Sequence, residues 1–219
     1  DDLRVSFRRG GHRVDALSGV SLAIERGESV GLVGESGSGK TTLVRTLLGL
    51  QQPGSGSVVF EGQSISAWLR RNAPAFRRRI QMVFQDPYGS LNPRMRVGAA
   101  LAEVLRVHRM ARGGLVDGAA SDLLRAVGLD AEYAGRYPHE CSGGQRQRIG
   151  LARALATRPD VLIADEPVSA LDVSVQAQVL NLLKDLQRER GLTLVLVAHD
   201  LAAVRYVCDR VIVLQHGRV

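Results

Sequence analysis

Residues Gly34 to Thr42, GESGSGKTT, stand between the apolar run SVGLV and the helically spaced KTTLVRTLLG. The first eight fit G-x-x-x-x-G-K-[ST], which becomes a phosphate cradle when a strand enters it and a helix leaves it. Successive backbone N–H groups of such a turn wrap phosphate oxygens, and the helix N-terminus adds positive potential. In that geometry Lys40 reaches the β- and γ-phosphates and the Thr41 hydroxyl ligates Mg²⁺. The candidate nucleotide-binding residues are therefore Gly34, Glu35, Ser36, Gly37, Ser38, Gly39, Lys40, Thr41 and Thr42.

VLIADEP, residues Val161 to Pro167, supplies a partner for that loop. An apolar strand ending in Asp165 puts a carboxylate at the sheet's C-terminal edge, where α/β folds bind ligands, and there it can hold Mg²⁺. Glu166 follows, with its side chain expected toward the nucleotide, where it can polarise a water that attacks the γ-phosphate. A third run, CSGGQ before RQRIGLARALA, is again a small-residue turn opening a helix. Ser142, Gly143 and Gly144, with Gln145 behind them, can present a hydroxyl and backbone N–H groups to an anion. If the first loop holds its own nucleotide, the second turn is best used on another subunit's, so the nucleotide is expected to be shared between two chains.

The elements that must position these residues alternate. Leu3, Val5 and Phe7 alternate with polar residues, and Leu17 to Ile24 forms a second such segment after a turn at Gly10 and Gly11, together an antiparallel edge sheet. Buried strands are expected at Ser29 to Gly34, Ile80 to Phe84, Val161 to Ala164 and Leu192 to Ala198. Helices are expected to end at Gly49 and to run from Asp172, as a cap, to Gly191, with Val175, Val179, Leu182, Leu183 and Leu186 as the apolar stripe. Strand and helix alternation implies a mostly parallel α/β sheet. From about Arg94 to Tyr137, LAEVLRVHRM and ASDLLRAVGL are helical with no strand between them, a helical insertion. The division expected is 1–87 for the ATP-binding core with its antiparallel subdomain, 88–145 for the helical part and 146–219 for the rest of the core.

The 219 residues, 45% hydrophobic, can bury one substantial core. No apolar run approaches the roughly eighteen residues of a membrane helix. Cys141 and Cys208 have no metal-ligand spacing, and a reducing cytoplasm is the expected setting. The net charge is +7, and 27 of the 29 basic residues are arginines, since only Lys40 and Lys184 are lysines. Such a balance suits polyanionic partners, but scattered arginines, including Arg77, Arg78 and Arg79, read first as solvated faces. Trp68, His108 and His139 read as structural. The lack of an initiator Met and the ending HGRV suggest a piece of a longer polypeptide.

The order of these motifs resembles the nucleotide-binding subunit of an ATP-binding cassette (ABC) transporter over essentially the whole chain. The family's P-loop, strand-end glutamine, signature, Mg²⁺-binding Asp with catalytic Glu, SALD-type loop and switch histidine match Gly34 to Thr42, Gln85, Cys141 to Gln145, Asp165 and Glu166, Ser169 to Asp172, and His199. The resemblance implies a P-loop NTPase of ABC type, with a mostly parallel core sheet, an antiparallel β subdomain and an inserted helical subdomain. It implies ATP and Mg²⁺ as cofactors. Asp165, Thr41 and Gln85 belong to the metal, Glu166, His199 and Gln85 to catalysis, and Asp172 to the nucleotide-binding set. His199 is expected beside Glu166, donating to the γ-phosphate. Phe7 matches the aromatic that stacks on adenine in this family, with a core phenylalanine as the alternative. Cys141 stands where Leu is commonest and is expected to pack.

Within the family, QDPYGSLNPRMRVG from Gln85, the YPHE before the signature and DEPVSALDVSVQAQVL from Asp165 resemble importers of di- and oligopeptides and their nickel or glutathione relatives. That implies an ATPase at the cytoplasmic face of the cell membrane. Its partners would be a second cassette (identical, paralogous or fused), two transmembrane permease subunits met near Tyr88 to Val97, and an extracytoplasmic solute-binding protein, with no nucleic acid. The alternative is a non-transport ABC ATPase of the phosphonate-breakdown, ribosome-associated or DNA-repair type. The last would be expected to carry a long coiled-coil insertion, which this sequence lacks.

Overall fold

The computed structural model describes residues 1–10 and 12–219, with every side chain in that range except those of Arg9, Pro87 and Tyr88. Gly11 of the expected turn, and the Tyr88 side chain at the head of the expected permease-contacting stretch, therefore lie outside the described residues.

Strands β1 (Leu3–Arg9) and β2 (His12–Val20) pair antiparallel. β3 (Ser29–Val33) leads through the glycine-rich loop into α1 (Lys40–Leu47). The short hairpin β4 (Val59–Phe60) and β5 (Gln63–Ser64) precedes α2 (Ile65–Arg79) and β6 (Ile80–Val83). Helices α3 (Pro87–Ser90), α4 (Val97–Val107) and α5 (Leu115–Ala126) and two 3₁₀ turns at Ala131–Gly135 and Pro138–Glu140 follow with no strand between them. Then come α6 (Gly143–Leu155), β7 (Val161–Asp165), α7 (Val173–Arg190), β8 (Thr193–Val197), α8 (Leu201–Val207) and β9 (Arg210–Val213).

The central sheet has five parallel strands in the order β6-β7-β8-β3-β9. Strands β6, β7, β8 and β3 are short apolar runs because both faces are largely covered, whereas the edge strand β9 buries only Ile212; successive side chains alternate between the two faces. Leu162, Ala164, Leu194 and Leu196 join the cluster under α4 to α8. Ile163, Val195, Val197, Val30 and Leu32 join the opposite cluster with β1, β2, α1 and α2. A parallel sheet puts all its strand C-termini on one edge. The loops after β3, β6, β7 and β8 therefore emerge side by side, which brings residues 34, 85, 166 and 199 together.

The second strand starts and ends earlier than the expected Leu17 to Ile24. Register with β1, in which Phe7 faces Val14 and Arg8 faces Arg13, extends the pairing through polar residues. Main-chain hydrogen bonds of an exposed ladder need no apolar side chain. Helix α2 was not legible, because Pro74 and the non-helical Asn72 (φ −157, ψ 67) interrupt it. Ser64 caps its first turn, and Asn72 Oδ1 accepts from Ala75 N–H at 3.1 Å to restart it. Arg79 also departs from the expected solvated run. Its guanidinium donates to Glu61 and Asp160, both at 2.5 Å, and lies over the Phe60 ring at 4.9 Å. Trp68, read as structural, donates to Phe60 O at 3.1 Å within the same aromatic cluster.

Candidate active site

Helix α1 opens on Gly39, at φ 110 and without a side-chain cap. A Cβ there would lie 2.5 Å from Ala16 O, so both the conformation and the close approach demand glycine. Lys40 is buried, and its ammonium turns back across the loop to donate to Gly34 O at 2.6 Å and Glu35 O at 2.9 Å. The Ser38 hydroxyl is buried without a hydrogen-bond partner, while Glu35, Ser36 and Gly37 are exposed at the loop's open side. An uncapped helix N-terminus, a buried cation whose hydrogen bonds go to main-chain carbonyls and an orphaned hydroxyl form a cradle that a polyphosphate fits. Thr41 is exposed at the helix start, and Thr42 O accepts from Thr46 Oγ1 at 2.8 Å.

β7 carries Asp165 and Glu166 to the same edge. Burial, and then the neighbouring Glu166, push the Asp165 carboxyl above its usual range, while Lys40, Arg45 and His199 pull it down. The loop lysine and the strand-end carboxylate thus share one electrostatic neighbourhood. Among the described residues no three His, Cys, Asp or Glu side chains converge as a metal cage. One carboxylate with a threonine hydroxyl suits Mg²⁺, which keeps several waters and takes phosphate oxygens.

Glu166 adopts a left-handed backbone, φ 47. Its N–H donates to Val197 O at 2.8 Å, tying it to β8. Gln85 Nε2 donates to Glu166 Oε2 at 2.8 Å, and His199 Nε2 pairs with Oε1. The three residues assigned to catalysis from sequence therefore meet at one carboxylate, from loops after three different strands.

The signature turn lies elsewhere. Ser142 caps α6 in a capping box: its hydroxyl accepts from Gln145 N–H at 3.3 Å and its N–H donates to Gln145 Oε1 at 2.8 Å. Gln145 Nε2 reaches on to the Tyr133 hydroxyl at 2.8 Å. A Cβ on Gly144 would sit 2.3 Å from Val175 Cγ1, so that glycine is demanded by α6 against α7. Cys141 is buried, its thiol near Tyr137 O at 3.6 Å and pushed up by burial, a packed residue as expected. Asp172 stands at the N-cap of α7, but its side chain makes no capping bond. Phe7, on β1, is 42% exposed and so is not a core side chain. Sequence reasoning missed Tyr133 and Arg45, neither of which belongs to a motif or carries a periodic signal.

Residues 17–169 match the family described as ABC transporter. The putative oligopeptide transport ATP-binding protein YkfD of Bacillus subtilis is 51% identical over 99% of this chain and 67% of its own length. The oligopeptide transport ATP-binding protein OppF of Streptococcus mutans is 50% identical over 100% and 71%. The chain thus spans about two thirds of the length of these relatives. Among solved structures, the dimeric ATP-binding cassette MJ0796 bound to ADP and Pi superposes with a TM-score of 0.88 at 32% identity, covering 100% of this chain and 94% of that one. CbiO1 of Clostridium perfringens, part of the transporter complex cbiONQ, gives 0.86 at 30% identity over 100% and 84%.

Proposed function

The chain belongs to the ABC transporter family, and from that premise we propose that it is the ATP-hydrolysing subunit of an importer of di- or oligopeptides. The observation that carries the ATPase reading is the convergence of Gln85 and His199 on Glu166, beside Asp165 and opposite the Lys40 loop. The near-full-length similarity to oligopeptide transport ATP-binding proteins supports the solute class.

In this reading the 34–42 loop amides and Lys40 grip the β- and γ-phosphates. Thr41, Asp165 and Gln85 would hold Mg²⁺, which when bound neutralises charge developing on phosphate oxygens. Glu166 takes a proton from the attacking water. Both its carboxylate oxygens are engaged, by Gln85 and His199. Turning His199 onto the γ-phosphate therefore frees Oε1 at the moment the substrate is seated. Ser142 and the glycines after it complete the site of a second cassette, paired head to tail. Residues 88–145 act as the arm toward two permease subunits at the cytoplasmic face, and a solute-binding protein delivers peptide from outside. Among the described residues no helix is long and apolar enough to cross a membrane, consistent with a peripheral seat on such permeases.

The test is purification of the full-length protein from detergent-solubilised native membranes, followed by ATPase assay in lipid nanodiscs. Two polytopic permeases should accompany it, and a peptide-loaded binding protein should stimulate turnover. Glu166→Gln should bind ATP while hydrolysing it at least about 100-fold more slowly. Co-purification with ribosomes, nucleic acid or soluble phosphonate enzymes would overturn the transport reading, and near-normal turnover by Glu166→Gln would remove it as the base.

A further inference from the structure

Glu166 is the last residue before a loop that turns through residues 167–172 into α7. Its left-handed backbone is unfavourable for a residue with a side chain and persists only where the surroundings impose it. One restraint crosses to β8, the N–H bond to Val197 O, and another is local, the Ser169 N–H and hydroxyl donating to Glu166 O at 3.3 and 3.1 Å. Ser169 in turn sits in a loop whose own fixing point is a side chain the motif reading passed over. Gln176, half-buried in the first turn of α7, donates through Nε2 to Val168 O at 3.1 Å and to Leu171 O at 2.9 Å. Its backbone N–H donates to Asp172 O at 2.8 Å, so the residue is anchored in the helix while its amide spans the loop. Asp172, where a capping side chain would ordinarily secure this junction, makes no such bond.

We infer that Gln176 is a positioning residue for hydrolysis: its amide clamps the 168–171 loop to α7 and thereby fixes where the Glu166 carboxylate points. Gln176 has no part in contacting nucleotide. Its role requires a donor, because both partners are carbonyl oxygens, and it requires reach, which a straight side chain of this length provides. Reorienting a base by a fraction of its bond to water costs rate without costing substrate affinity. The inference rests on Glu166 being the base.

The test uses the full-length protein assembled with its permeases in nanodiscs. Gln176→Leu and Gln176→Glu, which remove the donor at near-constant size, should each lower kcat by about 10- to 100-fold while KM for ATP stays within about twofold. Gln176→Lys, which returns a donor at that reach, should recover most of the loss. In single-turnover assays, Gln176→Leu added to Glu166→Gln should cost nothing further, because a residue acting through the carboxylate has nothing left to position. Wild-type kcat in Gln176→Leu, a Lys variant as slow as the Leu variant, or losses that multiply in the double variant would each overturn the inference. Should the Leu variant fail to fold, the Lys and Glu variants decide, since equal rates would refute a donor requirement. Full turnover by Glu166→Gln would instead sink the assignment of the base itself.

Discussion

Asp165 shows how a single site residue trades stability for chemistry. Burial and the adjacent Glu166 raise its carboxyl, so the folded chain holds that proton more tightly than the unfolded chain does. Above the ordinary carboxylate range this preference for the proton costs stability, and the cost fades as pH falls through the raised folded-state value and is gone below the unfolded one. Asp165→Asn should raise the Tm of the nucleotide-free protein at pH 7.5, because the amide brings no charge to be desolvated or repelled by Glu166. The gap should close toward about pH 4. Calorimetry of both proteins across that range checks it, and an unchanged or lowered Tm at pH 7.5 would contradict the sign. Hydrolysis should be lost in the same variant, as expected when a site is built at the expense of stability.

At the scale of elements, the signature helix and α7 are held at a separation that one methyl group would spoil. Replacing a helical glycine by alanine ordinarily gains up to about 1 kcal/mol. At Gly144 the new Cβ would lie 2.3 Å from Val175 Cγ1, and overpacking of that kind costs about 1–3 kcal/mol. Overpacking wins, so Gly144→Ala should lower the denaturant midpoint. Adding Val175→Ala should restore most of it, because the removed methyl groups make the room. Urea unfolding of the two variants measures this, and a doubly substituted protein no more stable than Gly144→Ala would show that the α6 to α7 contact is not what requires the glycine. The same contact carries a functional consequence: it couples the start of α6, which bears the signature turn, to the start of α7, which the loop after Glu166 enters.

At the scale of the molecule, the 34–42 loop and the signature turn belong to one chain, yet Gln85 and His199 gather on the Glu166 carboxylate without Ser142. In a head-to-tail pair, each nucleotide takes its loop from one cassette and its signature from the other. A Ser142→Arg lesion in one cassette and a loop-lysine lesion in its partner then fall in the same composite site and leave the other intact. Such a pair should keep up to about half of wild-type ATPase activity, whereas both lesions placed in one cassette should strike both sites. Steady-state ATPase measurement of the two arrangements decides. Equal activity in them would refute the shared site.

What the sequence determined by itself was local. Short apolar runs closed by glycine or by acidic residues specify buried parallel strands, and Gly34 to Thr42, Val161 to Glu166 and Cys141 to Gln145 are each contiguous, so their candidate chemistry could be proposed one stretch at a time. The helix ending at Gly191 was readable for the same reason, and so was the packing role of Cys141. What only the tertiary structure decided depends on groups far apart in the chain. The registration of β1 with β2, the interrupted helix α2 and the ion-paired Arg79 were set by pairing and by partners such as Asp160, 81 residues away. The doubly engaged Glu166 carboxylate, the Gln145 to Tyr133 bond and the Gln176 clamp are likewise side-chain contacts across turns. A polar residue carries no periodic signal that says which carbonyl it will meet. That choice is made by the sheet's common C-terminal edge, and only folding brings the loops there together.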